Sequence, residues 1–522
     1  AGAAILEAGG NAVDAAIAAV STSFCAEPVL TGAGGGGFML IAEPRQSPLL
    51  YDGFARMPGY IKHHGNKQPG FLTSGSSTAL KAVPIDFGDT VQTFHIGQAS
   101  VGTPSLLAML FEAHRQHGKI PLREVLEPGI ETARNGIRLN RLQASFIQLL
   151  QPILGDSESC KSLHAPAGSL LAEGDLFRNP DLANTLEMLA IDGIDEMYHG
   201  DMARAIVSAC LPHGLLGMDD MRMQQVNIRK PLSTAIFGGT LLTNPPPSSG
   251  GLLMAFAASL LDQLTIHDKT ANTPWPVLVA ETLRATSHMR CQGLDARIHE
   301  SSIETEILNN RILHHQVDDI LRKLGGNAQN KNHEASSRLG STTHISIVDK
   351  DGMAVSLTTS NGEGSGIVVP GTGIHLNNML GEEDINPLGF HALPAGTTLS
   401  SMMAPSVFMK NGRPAVVLGS GGSNRLRGAI LQVLMRHLLL GQHIEEAVHA
   451  PRLHNENDRL DFEPDFLSSQ EQAQLMQLGW KLNPWQQQSV YFGGVHAISC
   501  NINGQLHGGG DPRRGGAVRA CT

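Results

Sequence analysis

Two β-prone runs in the last third of the chain carry hydroxyl groups at a spacing that could do chemistry. Thr342-Thr343-His344-Ile345-Ser346-Ile347-Val348-Asp349 and Met353-Ala354-Val355-Ser356-Leu357-Thr358-Thr359-Ser360 flank Lys350-Asp351-Gly352. A three-residue loop with Gly at its left-handed position closes such runs into a hairpin. That loop pairs Asp349 with Met353, and a ladder continued without a bulge brings Thr342 opposite Ser360. Two hydroxyls then face each other at the open end. Hydroxyls held this way suit nucleophilic attack, although Ser and Thr are also ordinary strand residues. A bulge in the ladder would put Thr359 in the place of Ser360.

Other chemistries are poorly served. The six cysteines, Cys25, Cys160, Cys210, Cys291, Cys500 and Cys521, form no C-x-x-C pair and read as buried free thiols. The 23 histidines include no H-E-x-x-H, so neither a metal site nor a cofactor is expected. Gly32, Gly34 and Gly37 satisfy G-x-G-x-x-G. A dinucleotide site needs strand, glycines, helix, and here the order is helix, glycines, strand. Close backbone packing is the better reading. Acidic residues exceed basic ones by ten and aromatics are only 4%. That argues against nucleic acid, whose phosphates need a basic stripe. The longest apolar runs, near Leu252–Leu261 and Leu431–Leu440, fall short of the roughly 18–20 residues of a membrane helix.

The elements that must position the hairpin can be sketched from the same rows. The 522 residues allow two to four domains or one large one. Hydrophobic residues at 41% against 16% charged exclude a disordered chain. Asn11 is a good N-cap for a small-residue helix over 12–21, which can pack closely. A strand-like run, Phe38-Met39-Leu40-Ile41, follows the glycines. Residues 106–117, 122–135, 184–192, 202–210 and 252–264 read as helices. The chain turns polar over 327–341, which suits an exposed, mobile loop and is the strongest break. Beyond it the chain reads as strands and tight turns, and before it as mainly helices. No internal repeat is evident.

The motifs, taken in order, resemble the γ-glutamyltranspeptidase family of N-terminal-nucleophile hydrolases. Matching segments span nearly the whole length. They include residues 7–16, the Gly32–Phe38 stretch, Val101-Gly102-Thr103-Pro104 and Pro246-Pro247-Ser248-Ser249-Gly250-Gly251. Farther on come Thr342-Thr343-His344, Pro370-Gly371-Thr372-Gly373 with Asn377-Asn378, Leu399-Ser400-Ser401-Met402 and Gly421-Gly422-Ser423. The resemblance implies a four-layer αββα sandwich of the α+β class. It implies a precursor that cuts its own Ser341–Thr342 bond, giving a helix-rich segment 1–341 and a strand-rich segment 342–522 intertwined in one domain. Thr342 would be the nucleophile and its freed α-amine the base. Ser360 stands where the family usually has a Thr bonded to the nucleophile. Gly421 and Gly422 match the family's oxyanion pair; alone, a Gly-Gly is a turn.

Substrate recognition departs from the pattern. Ser400 and Ser401 match serines that help bind the α-carboxylate of a γ-glutamyl group. The Arg that assists them is not at its expected place, and Arg56, close by, is the candidate substitute. Glu382 is the best match, in a shifted acidic run, for the acid that holds the α-ammonium. Asn361 follows Ser360 directly, whereas the family's Asn sits one residue later. The expected activity is therefore cleavage of γ-glutamyl amides such as glutathione, with transfer of the acyl group to water or an amino acid. The alternative is a glutaryl or cephalosporin-type acylase of the same mechanism. An uncleaved binding protein is the rival of a different class. Expected partners are the small acyl-amide substrate, the amino-acid acceptor and the two fragments with each other, with no nucleic acid and no membrane span. Family members are often exported, which implies a periplasmic or secreted setting, or a cytoplasmic one if no signal was lost. The sequence opens at Ala1 with no initiating Met or signal, and gives no compartment by itself.

Overall fold

Alternation along the strands sets the architecture. The computed structural model describes residues 1–60, 80–86, 91–326 and 341–521. Its main strands are β1 (Gly36–Ala42), β2 (Leu49–Gly53), β3 (Asn227–Arg229), β4 (Leu232–Ile236), β5 (Gly239–Thr243), β6 (Thr343–Val348), β7 (Ala354–Ser360), β8 (Ser406–Lys410), β9 (Arg413–Gly421), β10 (Gly494–Cys500) and β11 (Leu506–Gly509). One sheet runs β6-β7-β1-β2-β3 and the other β11-β10-β9-β8-β5-β4. Side chains of a strand point alternately to its two faces. Phe38, Leu40 and Ala42 of β1 join Leu242, Val407 and Val417 in a core between the sheets. Met39 and Ile41 of β1 face helices instead. Val416 and Leu418 of β9 face a second helical layer. The protein is thus an αββα sandwich, with every residue of β1 and β7 buried.

The first helical layer contains α1 (Ala12–Ala26), α2 (Leu106–His117), α3 (Leu122–Asn135), α4 (Glu158–His164) and α5 (Pro180–Asp192). The second contains α6 (Ser249–Thr265), α7 (Trp275–Met289) and α8 (Leu426–Leu438). Asn11 starts α1 as expected: its side chain accepts from Val13 and Asp14 N–H, and Asp14 bonds back to Asn11 N–H. The glycine run before β1 serves close packing. A Cβ on Gly35 would lie 2.3 Å from the Ser360 carbonyl oxygen.

One expectation needs correction. The last third is not only strands and turns, because α8 spans 13 residues there. Its apolar residues lie at helical spacing, and Ala429, Ile430, Val433 and Leu434 bury against the second layer. The part before 341 also supplies β1 to β5, five strands of the two sheets. Residues 327–340, most of the segment expected to be an exposed loop, lie outside the described residues. No described helix is long and apolar enough to cross a membrane.

Candidate active site

The hairpin closes without a bulge. Asp349 N–H bonds the Met353 carbonyl at 3.0 Å, and Gly352 takes a positive φ of 86° in the loop. The ladder pairs Thr343 with Thr359 and His344 with Thr358. Carried one step farther, this register puts Thr342 opposite Ser360. The Ser360 hydroxyl donates to the Ser341 carbonyl oxygen at 2.5 Å and accepts the Gly362 N–H at 2.9 Å. That carbonyl belongs to the Ser341–Thr342 bond. Its other side is held too, because Ser341 N–H donates to Glu363 Oε1 at 3.0 Å. Thr359, the fallback, points elsewhere: its hydroxyl meets Thr31 at 3.0 Å and the Gly36 carbonyl at 3.2 Å.

The second sheet closes on the same residue. β9 ends at Gly421, where a Cβ would lie 2.3 Å from the Thr342 carbonyl oxygen. Gly422 follows with φ 125°, a conformation that favours glycine. The Arg514 guanidinium donates to the Thr342 carbonyl at 3.2 Å. Burial, then the nearby Arg425, pulls its pKa down to about 10. The Thr343 hydroxyl bonds Glu27, whose carboxyl burial pushes up. His344 lies under Gly419 and bonds the hydroxyls of Thr358 and Ser346 at 2.8 and 2.9 Å. Burial holds it far below the ordinary histidine range, so it is neutral and fully engaged.

Acids gather on the far side of Ser360. Glu382 and Glu363 lie side by side, close enough for each carboxyl to act on the other. Burial pushes Glu363 up to about 8. Burial raises Glu382 well above the carboxylate range, and the charges of Glu363 and Asp384 add to the effect. Asp384 accepts from the Ser423 hydroxyl at 2.6 Å and the Asn424 amide at 3.2 Å, so it links this cluster to the Gly421–Gly422 turn. Asn361 spends its amide N–H on the His375 carbonyl at 3.1 Å.

Ser400 and Ser401 sit against the start of α6. Ser400 donates to the Ser249 hydroxyl at 3.3 Å, and the Ser401 carbonyl accepts from Ser248 Oγ and Gly250 N–H, each at 3.0 Å. The N-terminus of a 17-residue helix favours an anion. The backbone of Arg56 pairs with Thr398, two residues from Ser400. Its guanidinium, however, donates to the Gln225 carbonyl at 2.8 Å. The structure therefore brings together Ser341, Thr342, Ser360, Gly421 and Gly422, with Glu382 beside them, and turns the Arg56 head group to other work.

Sequence reasoning missed Glu363, Asp384, Arg514 and Glu27. Glu363 stands three residues after Ser360, and that proximity was the one available signal. Arg514 comes from the far end of the chain and gave none. Among the described residues, one group carries metal-ligating atoms within 4.8 Å of one another: Cys160, His164 and His375. It lies behind Asn361, outside the cluster around Thr342.

A sequence model of the family described as gamma-glutamyltranspeptidase matches residues 1–521. The glutathione hydrolase proenzyme of Bacillus subtilis strain 168 is 27% identical, covering 99% of this chain and 89% of its own. The acylase ACY 1 proenzyme of Pseudomonas sp. strain SE83 is 28% identical, covering 97% of this chain and 89% of its own. Among solved structures, cephalosporin acylase from Bacillus halodurans aligns with a TM-score of 0.83 at 24% identity, covering 100% of this chain and 93% of that one. That likeness bears on the fold.

Proposed function

The chain belongs to the γ-glutamyltranspeptidase family, and from that premise we propose that it is a self-processing threonine hydrolase acting on γ-glutamyl amides. One observation carries the reading: the 2.5 Å bond from the Ser360 hydroxyl to the carbonyl oxygen of the Ser341–Thr342 bond. Thr342 Oγ attacks that carbonyl carbon, and negative charge grows on the oxygen that Ser360 already holds. The C–N bond breaks as the amine takes a proton, leaving Ser341 esterified to Thr342 Oγ. Water opens the ester, freeing the Ser341 carboxylate and the Thr342 α-amine. An unperturbed α-amine titrates near 7.7–8.0, so part of it is neutral at pH 7. It takes the proton of its own hydroxyl when Thr342 attacks substrate and gives it to the leaving amine. Gly421 and Gly422 N–H groups serve as donors to the oxyanion. Water or an amino acid then takes the acyl group from Thr342.

Substrate choice follows from charge. Cleavage removes Ser341 N–H from Glu363, which frees a carboxyl oxygen beside Glu382. Such a pair, with Asp384 near it, suits an α-ammonium. Ser400 and Ser401 at the start of α6 suit the α-carboxylate. A glutaryl or cephalosporin-type acylase is the second reading. It is favoured by the acid pair itself: burial raises both Glu363 and Glu382, a protonated carboxyl holds an ammonium poorly, and a glutaryl group has a carboxylate but no ammonium.

The test is denaturing electrophoresis followed by intact mass after exposure to γ-glutamyl and glutaryl anilides. The expected result is two fragments, with a γ-glutamyl adduct on the smaller one. A glutaryl adduct alone supports the second reading. A single uncleaved band without amidase activity overturns both and leaves a binding protein. Thr342→Ala is expected to abolish cleavage and turnover together.

A further inference from the structure

Behind the active-site turn lies a cluster that the acyl-transfer chemistry does not use. Cys160 and His164 are four residues apart on α4, so they project from one face. His375 comes from the short strand Ile374–His375. The Cys160 sulfur and one ring nitrogen from each histidine lie within 4.8 Å of one another. Cys160 and His164 are 0% exposed and His375 is 7% exposed.

Hydrogen bonding does not account for the cluster. Neither ring nitrogen of His164 has a partner among the described residues, and Nδ1 of His375 has none either. A buried polar group without a partner is costly, and nearly all such groups find one. His375 Nε2 is crowded by contrast: it lies 3.8 Å from the Cys160 sulfur and accepts the Gly366 N–H at 3.2 Å. A neutral imidazole has one lone pair, so two donors compete for it. Phe177 stacks on His164 at 5.5 Å and closes that side with apolar surface. The acid that faces Cys160, Asp156, is paired with Lys81.

We propose that Cys160, His164 and His375 bind one borderline-soft divalent cation such as zinc, through a thiolate and two imidazole nitrogens, with a fourth position open to water. Thiolate and imidazole together select zinc, cobalt or copper over magnesium and calcium. The cation would take one lone pair from each histidine and relieve the contest at His375, where Gly366 N–H yields. Binding exchanges the thiol proton for the cation, and the proton leaves to water. With the ligands this buried, the cation enters as the chain folds. Its effect would reach the active site through the backbone, because the His375 carbonyl accepts the Asn361 side chain at 3.1 Å. The ligands gave no sequence signal because Cys160 and His375 are 215 residues apart.

The experiment produces the full chain in medium supplied with zinc, or with cobalt in its place. Metal per chain is measured by mass spectrometry of the desalted protein, and the cobalt form is examined by absorption. The expected result is one metal per chain, with a thiolate-to-cobalt charge-transfer band in the near ultraviolet. Cys160→Ser should lose the band and the metal, whereas exposed His314→Ala should keep both. If Cys160→Ser does not fold, His164→Gln is expected to show at least a tenfold loss of retained metal. Wild-type protein without bound metal or without the band overturns the proposal, and so does a band that survives Cys160→Ser. None of these readouts depends on amidase activity, so failure here is distinct from failure of the acyl-transfer reading.

Discussion

The Ser360 hydroxyl touches the carbonyl that accepts negative charge in the proposed self-cleavage. A threonine offers the same oxygen, so Ser360→Thr should still cleave, whereas Ser360→Ala removes the donor. Losing one oxyanion donor costs on the order of 10²–10³ in rate. A time course of fragment appearance measures this, and cleavage at an unchanged rate in Ser360→Ala would remove Ser360 from the mechanism. Glu363 supports a second prediction, best read on uncleaved Thr342→Ala. Burial pushes its carboxyl up to about 8 in the folded chain, from an ordinary value of 4.5. The folded state therefore holds a proton that the unfolded state has released. Stability is fully present below about 4.5 and falls as pH rises toward about 8, by up to roughly 1.4 kcal/mol per pH unit. Glu363→Gln should lessen that fall in a plot of unfolding midpoint against pH without abolishing it, because Glu382 beside it is raised too. An unchanged slope would mean that another group is responsible. Thr342 and Ser360 were legible in the sequence because a hairpin register is local. Glu363 was not, because an acid in a glycine-rich turn normally belongs to solvent.

Elements meet at Thr342 from opposite sheets: β6 begins beside it and β9 ends against it. The missing side chain at Gly421 makes that approach possible, since a Cβ there would sit 2.3 Å from the Thr342 carbonyl oxygen. Gly421→Ala must push the two strands apart or tilt Thr342. Overpacking of this kind costs about 1–3 kcal/mol, and the displaced carbonyl is the one Arg514 holds. The variant should unfold earlier in a thermal scan and cleave more than tenfold slower. If it melts and cleaves like the wild type, the strands are not as tightly apposed as described. The same contrast separates what the sequence disclosed at this scale. α2 and α3 occupy the residues that periodicity marked, because their apolar faces are written in consecutive turns. α8 was hidden between glycine-rich turns that drew the whole region toward strands. The partnership of β6 with β9 joins residues far apart in the chain, and no local pattern encodes it.

Across the whole molecule, the bond expected to break lies between two segments that neither sheet separates. β1, β2 and β3 precede it and β6 and β7 follow it, yet all five share one sheet, with β7 between β6 and β1. The other sheet takes β4 and β5 from before the break and the rest from after it. The core between them mixes Phe38, Leu40 and Leu242 with Val348, Val407 and Val417. Pulling the segments apart would expose this core and leave the edges of β1 and β5 unpaired. Apolar burial at about 25 cal/mol per Å² opposes that strongly, and an unpaired strand edge invites aggregation. Cleavage should therefore change the covalent chain without changing the particle. Under native conditions the cleaved protein should give one gel-filtration peak at the size of uncleaved Thr342→Ala, and on a denaturing gel the cleaved protein should give two bands. Urea should unfold the cleaved protein in one transition, because the core between the sheets and the core of the second helical layer each mix residues of both segments. Residues 342–522 expressed without 1–341 should be insoluble for the same reason. Two native peaks, or a soluble, cooperatively folded 342–522, would show that the segments are separate domains and that the interleaved sheets do not hold them together.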